Sequence, residues 1–278
     1  MKHCLIMTVY KDADMINRFI AAAPKEWGIY VHIDKKSILD RKDIIRFDYC
    51  IKENTIYWGS WKHLYSFWML LEKAHEKGYD YYHLVTGQDF FATVPDKFDD
   101  ILGNLQQSYM DIFSLPKEGW WGNGLSIYRY QGLSYYCDIR FGLAERANWF
   151  IRKLQMAFPI KRKLPLFPLY GGSVYCSLHD SLVEWMMHSY EAQNYLNTLK
   201  YCNCCEEIFF QTVAMLSPYR NKVVNNSLRY VDWEVENPPK ILALNDYENV
   251  INSNNLFCRK NILRVGLIEK LEKYCNEG

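Results

Sequence analysis

The chain has 278 residues, of which 49% are hydrophobic, enough for one large α/β domain or two smaller ones. Lys and Arg total 33 and Asp and Glu total 32, so the net charge is +1. This balance lacks the strong basic excess that is typical of nucleic-acid-binding proteins, so no nucleic-acid partner is expected. No stretch reaches the roughly 18 apolar residues that a membrane-spanning helix needs.

The N-terminus and the cysteines indicate where the protein works. Residues 1–10 are basic and then apolar, without a small-residue cleavage pattern, so they predict a first strand rather than a signal peptide. The nine cysteines are an odd number in a chain without an export signal. We therefore expect reduced thiols and a cytosolic protein.

The first predicted elements form a strand, a helix and a second strand. Residues 3–9 and 28–33 are typical of buried strands. Between them, Asp12 or Asp14 is expected to cap a helix. That helix has four apolar residues at helical spacing, namely Met15, Ile16, Phe19 and Ile20. A unit of this length predicts a right-handed crossover and parallel strands.

Two more helices are predicted before the third long strand. Residues 37–47 are expected to form a short helix that turns three residues inward, Ile38, Ile44 and Ile45. Ser60 is a suitable N-cap for the next helix. The stripe of that helix is expected to be core and comprises Trp61, Leu64, Tyr65, Trp68, Leu71 and His75. His63 and His75 are expected to be packed or exposed rather than metal ligands.

Polar residues follow each of three predicted strands. The segments are Val9-Tyr10-Lys11, Asp34-Lys35-Lys36 and, after the strand at residues 81–85, Gly87-Gln88-Asp89. In open α/β sheets, ligands bind beyond the carboxyl ends of the strands, so these segments favour a nucleotide or nucleotide-sugar site. Gly87 permits a sharp turn or close approach of a ligand. Asp89 either serves that site or caps its own turn through the backbone.

The second half of the chain has shorter predicted elements around an irregular stretch. Residues 116–136 lose regular period and are rich in Gly, Trp and Tyr, as functional loops often are. Residues 160–165 form a basic connector that faces solvent, a membrane surface or an anionic substrate. The other expectations are a helix from Pro95, a strand at 108–115, helices at 144–158 and 180–190, a Gly-rich turn into a strand at 170–178, and a final helix at 263–274.

Several familiar motifs are missing. The sequence has no GxGxxG after the first strand, no GxxxxGK[ST] and no GxSxG, which argues against dinucleotide dehydrogenases, P-loop NTPases and α/β-hydrolases. Cys202, Cys204 and Cys205 lack a second CxxC or a His pair at ligand spacing, so we expect no zinc there.

Seven segments, taken in order, resemble the core-2/I-branching β-1,6-N-acetylglucosaminyltransferases and peptide O-xylosyltransferases of glycosyltransferase family 14. They are residues 30–37 (YVHIDKKS), 58–61 (WGSW), 82–90 (YHLVTGQDF), 171–173 (GGS), 206–212 (EEIFFQT), 228–233 (LRYVDW) and 256–260 (LFCRK). The resemblance implies a variant GT-A fold: one α/β domain over residues 1–278, with a mixed Rossmann-like sheet and flanking helices. Residues 1–115 would bind the nucleotide, and residues 116–278 would hold the acceptor and the catalytic groups.

The resemblance also implies chemistry: a UDP-sugar donor, inversion at the anomeric carbon and no divalent metal, so no cofactor is expected. Glu207 matches the general base, the second acid of the family's Asp-Glu pair. Glu206 replaces the first acid, which leaves the choice of carboxylate open. Without the resemblance, the two acids would simply favour a helix N-terminus.

The family replaces the metal with basic side chains near the C-terminus. Lys260 matches one of them, and Lys240 or Arg229 is the second candidate, because Asn237 lies nearest the expected spacing. Fixed cations can stabilise the charge that develops on a leaving diphosphate. The only literal D-x-D, at Asp12 and Asp14, is expected to cap a helix.

The matching nucleotide and sugar positions are Val9, Tyr10, Lys11, Asp34, Lys35, Lys36, Trp58 and Asp89. Acceptor choice is expected in the irregular region, with four candidate residues, Glu118, Trp120, Trp121 and Arg129. The expected donor sugar is N-acetylglucosamine, with xylose or another hexose as alternatives. The expected acceptor is a glycan or glycolipid, with loose association at the inner membrane face.

Two other functions remain open from the sequence. One is a catalytically silent relative that binds a sugar or nucleotide. The other is a metal-dependent transferase that uses Asp12 and Asp14.

Overall fold

A computed structural model describes residues 1–120, 130, 142–158, 163, 165–235 and 239–277. Its strands are β1 (His3–Val9), β2 (Gly28–Ile33), β3 (Tyr49–Ile51), β4 (Tyr81–Thr86), β5 (Phe90–Phe91), β6 (Ser108–Met110), β7 (Phe113–Ser114), β8 (Tyr170–Gly171), β9 (Ser177–His179), β10 (Val223–Asn225), β11 (Arg229–Val231) and β12 (Phe257–Arg259). Its helices are α1 (Ala13–Ala22), α2 (Trp61–His75), α3 (Phe98–Leu102), α4 (Gly142–Ala157), α5 (Asp180–His188), α6 (Tyr190–Thr198), α7 (Glu206–Leu216), α8 (Tyr247–Ile251) and α9 (Leu267–Glu277).

Seven strands form a mixed central sheet in the order β10-β6-β9-β4-β1-β2-β3. Strands β3, β2, β1 and β4 run parallel, whereas β9 runs antiparallel to both β4 and β6. Val9 pairs with Ile33 and Thr8 pairs with Thr86. This register brings the carboxyl ends of β1, β2 and β4 to one edge of the sheet. The mixed sheet with flanking helices confirms the expected GT-A-like α/β fold.

Helices cover both faces of the sheet. One hydrophobic cluster joins α2, α5, α6 and α7 to one face, and a second joins α1 and α9 to the other. The predicted stripe of α2 is buried at Trp61, Leu64, Trp68 and Leu71, whereas Tyr65 and His75 are only partly buried. The two layers thus bury strands that are apolar on both faces, as expected for parallel strands.

The opening unit confirms the predicted strands and the parallel crossover. The four apolar residues expected to face the core of α1 are buried. The expected cap is wrong in its chemistry, because Asp12 occupies the N-cap position with a left-handed backbone and its side chain makes no capping bond. The Asp12 carboxylate lies 4.0 Å from Lys11 Nζ, and Asp14 pairs with Arg18 at 3.5 Å.

The helix expected at residues 37–47 is wrong. Only a 3-10 turn forms there, Arg41–Asp43, with Asp40 as its N-cap. Ile44 is buried, but Ile38 is 97% exposed and Ile45 is 60% exposed. Short polar side chains bond to nearby backbone here, including the Ser37 hydroxyl to the amide of Leu39, and such bonds compete with helix formation.

In the second half, the predicted elements occur with shifted ends. The strand expected at 108–115 divides into β6 and β7, and the final helix begins at Leu267 after a 3-10 turn at Leu263–Val265. A small sheet, β11-β12-β5, joins the C-terminal region to the segment after β4. The amide of Asn261 donates to the Gln88 carbonyl at 2.9 Å. This contact brings the end of β12 to the strand-end edge of the central sheet.

No helix in the described ranges combines the length and the apolar character that crossing a bilayer requires.

Candidate active site

The three loops that follow β1, β2 and β4 are joined by backbone and hydroxyl bonds. The Asp34 amide donates to the Val9 carbonyl at 2.8 Å, and the Ser37 hydroxyl donates to the Tyr10 carbonyl at 2.7 Å. The Gly87 amide donates to the Thr8 carbonyl at 3.3 Å. A Cβ on Gly87 would lie 3.0 Å from Ile16 of α1, so this glycine permits close packing of the loop on the helix.

Asp34 ties the loop after β2 to the segment before α2. Its Oδ1 accepts bonds from the amides of Lys36 at 3.0 Å and Ile56 at 3.2 Å. The Lys36 ammonium donates to the Ile56 carbonyl at 2.6 Å and lies over the Tyr57 ring at 4.2 Å. Lys35 is exposed beside them. The carboxylate is largely buried, so its first effect is to hold the two segments together.

The other predicted nucleotide positions differ in what they present. Tyr10 and Trp58 are exposed aromatic side chains, and Lys11 is exposed with its Nζ 5.3 Å from the centre of the Tyr10 ring. The Val9 side chain is buried, so this residue offers the site its backbone only.

The two acids of the Glu pair occupy different environments at the start of α7. Glu206 is buried, and its Oε1 lies 3.1 Å from His63 Nδ1. The other nitrogen of His63 lies 3.2 Å from the Thr8 hydroxyl, at the end of β1. In the described part of the chain, Glu206 Oε2 has no hydrogen-bond partner. His63 therefore links Glu206, at the start of α7, to Thr8 in the central sheet.

Glu207 is half-buried, and its carbonyl accepts a bond from the Gly172 amide at 2.9 Å. Its charge acts on Tyr175 together with the charges of Asp89 and Glu206. Burial raises the pKa of Tyr175, the Arg259 charge lowers it, and the three carboxylates raise it further. The charges of both acids and of Asp89 in the β4 loop thus all act on Tyr175.

Asp89 and Arg259 form a buried ion pair. Arg259 Nη1 lies 3.1 Å and 3.3 Å from the two oxygens of Asp89, and Arg259 also lies 3.7 Å from the centre of the Tyr175 ring. Thr86 donates its amide and its hydroxyl to the same carboxylate. Asp89 is fully buried, so it orients Arg259 and its own turn rather than presenting a carboxylate to a sugar.

Lys260 is half-buried at the end of β12, next to Arg259. Burial lowers the pKa of Lys260, and the positive charges of Arg259 and Lys11 lower it further. The lysine that follows β1 and the lysine that follows β12 therefore act on each other electrostatically. Positive charges that lie close together favour the binding of an anionic group between them.

The side chains of the two candidates for a second basic residue have other partners, although the Lys240 carbonyl accepts a bond from the Lys260 amide at 3.3 Å. Lys240 Nζ lies 2.7 Å from Asp246 and 3.8 Å from Asp232, and the hydrogen bond to Asp246 raises the pKa of Lys240. Arg229 is buried, donates to the Cys176 carbonyl at 2.9 Å, and has its pKa lowered to about 10 by burial. Asn237 lies outside the described residues.

The candidate acceptor region is described in part. Trp120 packs edge-on against Phe113 with ring centres 4.9 Å apart, and Glu118 is exposed. Trp121 and Arg129 lie outside the described residues.

Sequence reasoning missed three residues at this site, His63, Tyr175 and Arg259. Arg259 directly precedes Lys260 within the matched segment, so position was an available signal for it. His63 and Tyr175 carried no such signal, because their partners are distant in the sequence; His63 and Glu206 are 143 positions apart.

A comparison with protein families gives a match to the family described as Core-2/I-Branching enzyme, over residues 5–251. Among curated proteins, no sequence matches the chain.

Proposed function

The chain belongs to the Core-2/I-Branching enzyme family, a family of glycosyltransferases, and we propose that it transfers N-acetylglucosamine from a UDP-sugar to a glycan hydroxyl with inversion and without a metal. The observation that carries this proposal is the position of Arg259 between the acids and the lysines. Arg259 lies 3.7 Å from the centre of the Tyr175 ring, on which the charges of Glu206 and Glu207 act. It also directly precedes Lys260, on which the positive charges of Arg259 and Lys11 act.

The proposed base is Glu207. It takes the proton of the acceptor hydroxyl while that oxygen forms a bond to the anomeric carbon, and the bond from that carbon to the UDP oxygen breaks on the opposite face. Glu206 is less suited to this step, because it is buried and held by His63. We assign Glu206 a positioning role at the start of α7.

Lys260 and Lys11 are proposed to stabilise the diphosphate as negative charge develops on it. Positive groups that are already in place cost no reorganisation during the reaction, which is the basis of electrostatic catalysis. Arg259 adds a third positive charge next to Lys260, and Asp89 holds the Arg259 guanidinium in place. We propose that Tyr10 and Trp58 contact the uracil or the sugar, and that Asp34, Lys35 and Lys36 line the ribose side.

A thermal-shift series with UDP, UDP-sugars, GDP and CDP, each with Mn²⁺ and with EDTA, tests the proposal. A ligand that binds only the folded chain at 100 times its dissociation constant adds about 2.7 kcal/mol of stability. We expect stabilisation by UDP that is equal in EDTA and a larger shift with one UDP-sugar. Stabilisation that requires Mn²⁺ would contradict the metal-free mechanism, and the absence of any nucleotide shift would favour a silent relative.

The proposed acceptor is a glycan or glycolipid at an anionic membrane surface, and helix α4 supports this association. Phe150, Leu154 and Phe158 recur at four-residue spacing on one face and are 58%, 41% and 61% exposed. An exposed apolar stripe departs from the usual pattern of a surface helix, in which the apolar residues face the core. The basic connector at residues 160–165 follows directly, and basic amphipathic helices bind anionic membranes.

Sedimentation with lipid vesicles tests that association. We expect the chain to sediment with vesicles that contain anionic lipid, and to lose this binding when Phe150, Leu154 and Phe158 are replaced by Ser. Ile45→Ser, at an exposed apolar residue far along the chain, is the matched control. Equal loss of binding in the control, or no binding of the wild type to the anionic vesicles, would contradict the assignment.

A further inference from the structure

Three potential metal ligands converge far from the candidate active site. His75 lies in the last turn of α2, and Glu184 and His188 lie one turn apart on α5. His63, which serves the candidate active site, lies on the first turn of α2, about 18 Å along the helix axis from His75. The cluster therefore lies near the amino end of β4 rather than at the strand-end loops.

The ligand atoms of these residues lie within reach of one ion. His75 Nε2 lies 2.6 Å from one oxygen of Glu184, and His188 Nε2 lies 3.5 Å from the other. All three ligand atoms lie within 4.8 Å of one another. The imidazole rings of His75 and His188 have centres 6.3 Å apart and meet edge to face. Two nitrogens about 2.0 Å from a tetrahedral ion lie roughly 3.4 Å apart, which is inside the 4.8 Å within which the three ligand atoms lie.

The second nitrogen of His75 has the support that metal-bound histidines usually have. His75 Nδ1 lies 3.5 Å from Asp180 Oδ1 and 3.4 Å from the Tyr82 hydroxyl. Tyr82 in turn donates to the same Asp180 oxygen at 2.9 Å. A carboxylate that accepts a bond from one histidine nitrogen keeps the proton on that nitrogen. The other nitrogen is then free to bind a metal. Here that arrangement points Nε2 at Glu184.

We propose that His75, Glu184 and His188 bind one Zn²⁺, with water completing a tetrahedral set. A set of two imidazoles and one carboxylate binds zinc in preference to magnesium or calcium. Glu184 and His188 are both exposed, so their side chains can adjust by a rotation while His75 stays fixed against Tyr82. The ion would join the end of α2 to α5, two helices on the same face of the sheet.

This site is distinct from the proposed sugar transfer. It supplies no group to the strand-end loops, and its ligands do not contact Lys260 or the Glu pair. Bound Zn²⁺ would therefore stabilise the fold without entering the reaction, and the proposed metal-free transfer continues in chelator. The simpler alternative is a surface cluster of hydrogen bonds and ion pairs that binds no metal with useful affinity.

Titration of the chelator-treated full chain with Zn²⁺, followed by calorimetry and thermal shift, distinguishes a zinc site from a cluster that binds no metal. We expect one Zn²⁺ per chain and a higher melting temperature, with Mg²⁺ and Ca²⁺ without effect. Glu184→Gln and His188→Ala are expected to weaken Zn²⁺ binding by about tenfold or more. Both positions are exposed, so these variants should fold. Glu76→Gln, at an exposed acid next to His75, is the matched control and should bind like the wild type.

Titration with Co²⁺ gives a spectroscopic check. We expect tetrahedral visible absorption in the wild type and in Glu76→Gln, and its loss in His188→Ala. Absence of stoichiometric binding, or equal binding by His188→Ala and the wild type, would overturn the proposal. Because neither measurement uses a nucleotide, failure here and failure of the sugar-transfer proposal are separate outcomes.

Discussion

The nucleotide side and the catalytic side of the candidate site are held in place by different forces. On the nucleotide side, each hydrogen bond described between neighbouring loops uses at least one backbone group, as where the Asp34 amide donates to the Val9 carbonyl. On the catalytic side, ion pairs and hydrogen bonds join distant segments: Asp89 to Arg259 and His63 to Glu206. Backbone bonds survive most side-chain changes, whereas a buried charge that loses its partner is costly. The catalytic side should therefore be the more sensitive to substitution.

The largest effect is expected from Glu207→Gln. Removal of a general base costs about 10²- to 10⁴-fold in rate, so sugar transfer should fall within that range while UDP still stabilises the chain. The matched variant is Glu206→Gln, which should lower the melting temperature and reduce transfer less. If Glu206→Gln reduces sugar transfer more than Glu207→Gln does, Glu206 is the base.

Asp89→Asn should cause a free-energy loss of similar size, but in the stability of the fold rather than in the rate of transfer. It leaves the Arg259 guanidinium buried beside an uncharged partner, and breaking a buried pair costs about 3–5 kcal/mol. Urea unfolding measures this loss. Asp14→Asn breaks an exposed pair with Arg18 and should cost less than about 1 kcal/mol. Similar losses in the two variants would mean that the buried pair contributes little to stability.

Lys260→Ala should reduce transfer by about 10²- to 10³-fold and weaken UDP binding, since it removes a cation from the proposed diphosphate site. Lys240→Ala should affect UDP binding less, because Asp246 and Asp232 already engage that ammonium. Calorimetric titration with UDP compares the two. A stronger loss in Lys240→Ala would move the diphosphate site toward β11.

The lowered pKa of Lys260 predicts that UDP affinity depends on pH. The pKa of Lys260 is lowered by burial and by Arg259 and Lys11, and only the protonated form attracts the diphosphate. UDP affinity should therefore fall as pH rises through this lowered pKa, earlier than for an ordinary lysine. The difference in UDP affinity between the wild type and Lys260→Ala should shrink over the same interval. A constant difference from neutral to alkaline pH would contradict the assignment.

The smallest effect is expected from His63→Gln, which changes how Glu206 is held without touching the proposed base. A positioning role predicts a loss in turnover of roughly tenfold at most, about 1.4 kcal/mol, with UDP binding unchanged. Thr8→Val removes the bond at the other nitrogen of His63 and should act in the same direction more weakly. Loss as large as that of Glu207→Gln would place His63 in the reaction itself.

The sequence alone was sufficient for the parts of this protein that depend on neighbouring residues. Strands β1, β2 and β4 are predominantly apolar runs, and the stripe of α1 repeats at helical spacing, so both could be predicted from local pattern. The failure at residues 37–47 shows the limit, because Ser37 and Asp40 used local side-chain bonds in place of a helix. Motif order also nominated Glu206, Glu207 and Lys260 as site residues.

Only the tertiary structure decided which of these residues meet. The partners of Asp89 and Glu206 lie 170 and 143 positions away, and nothing in a local pattern signals such pairs. It also brought His75, which the sequence suggested was only packed or exposed, to Glu184 and His188 on another helix. The physical reason is that secondary structure follows from the residues beside it, whereas a site is formed by packed helices and paired strands that bring distant charges into contact.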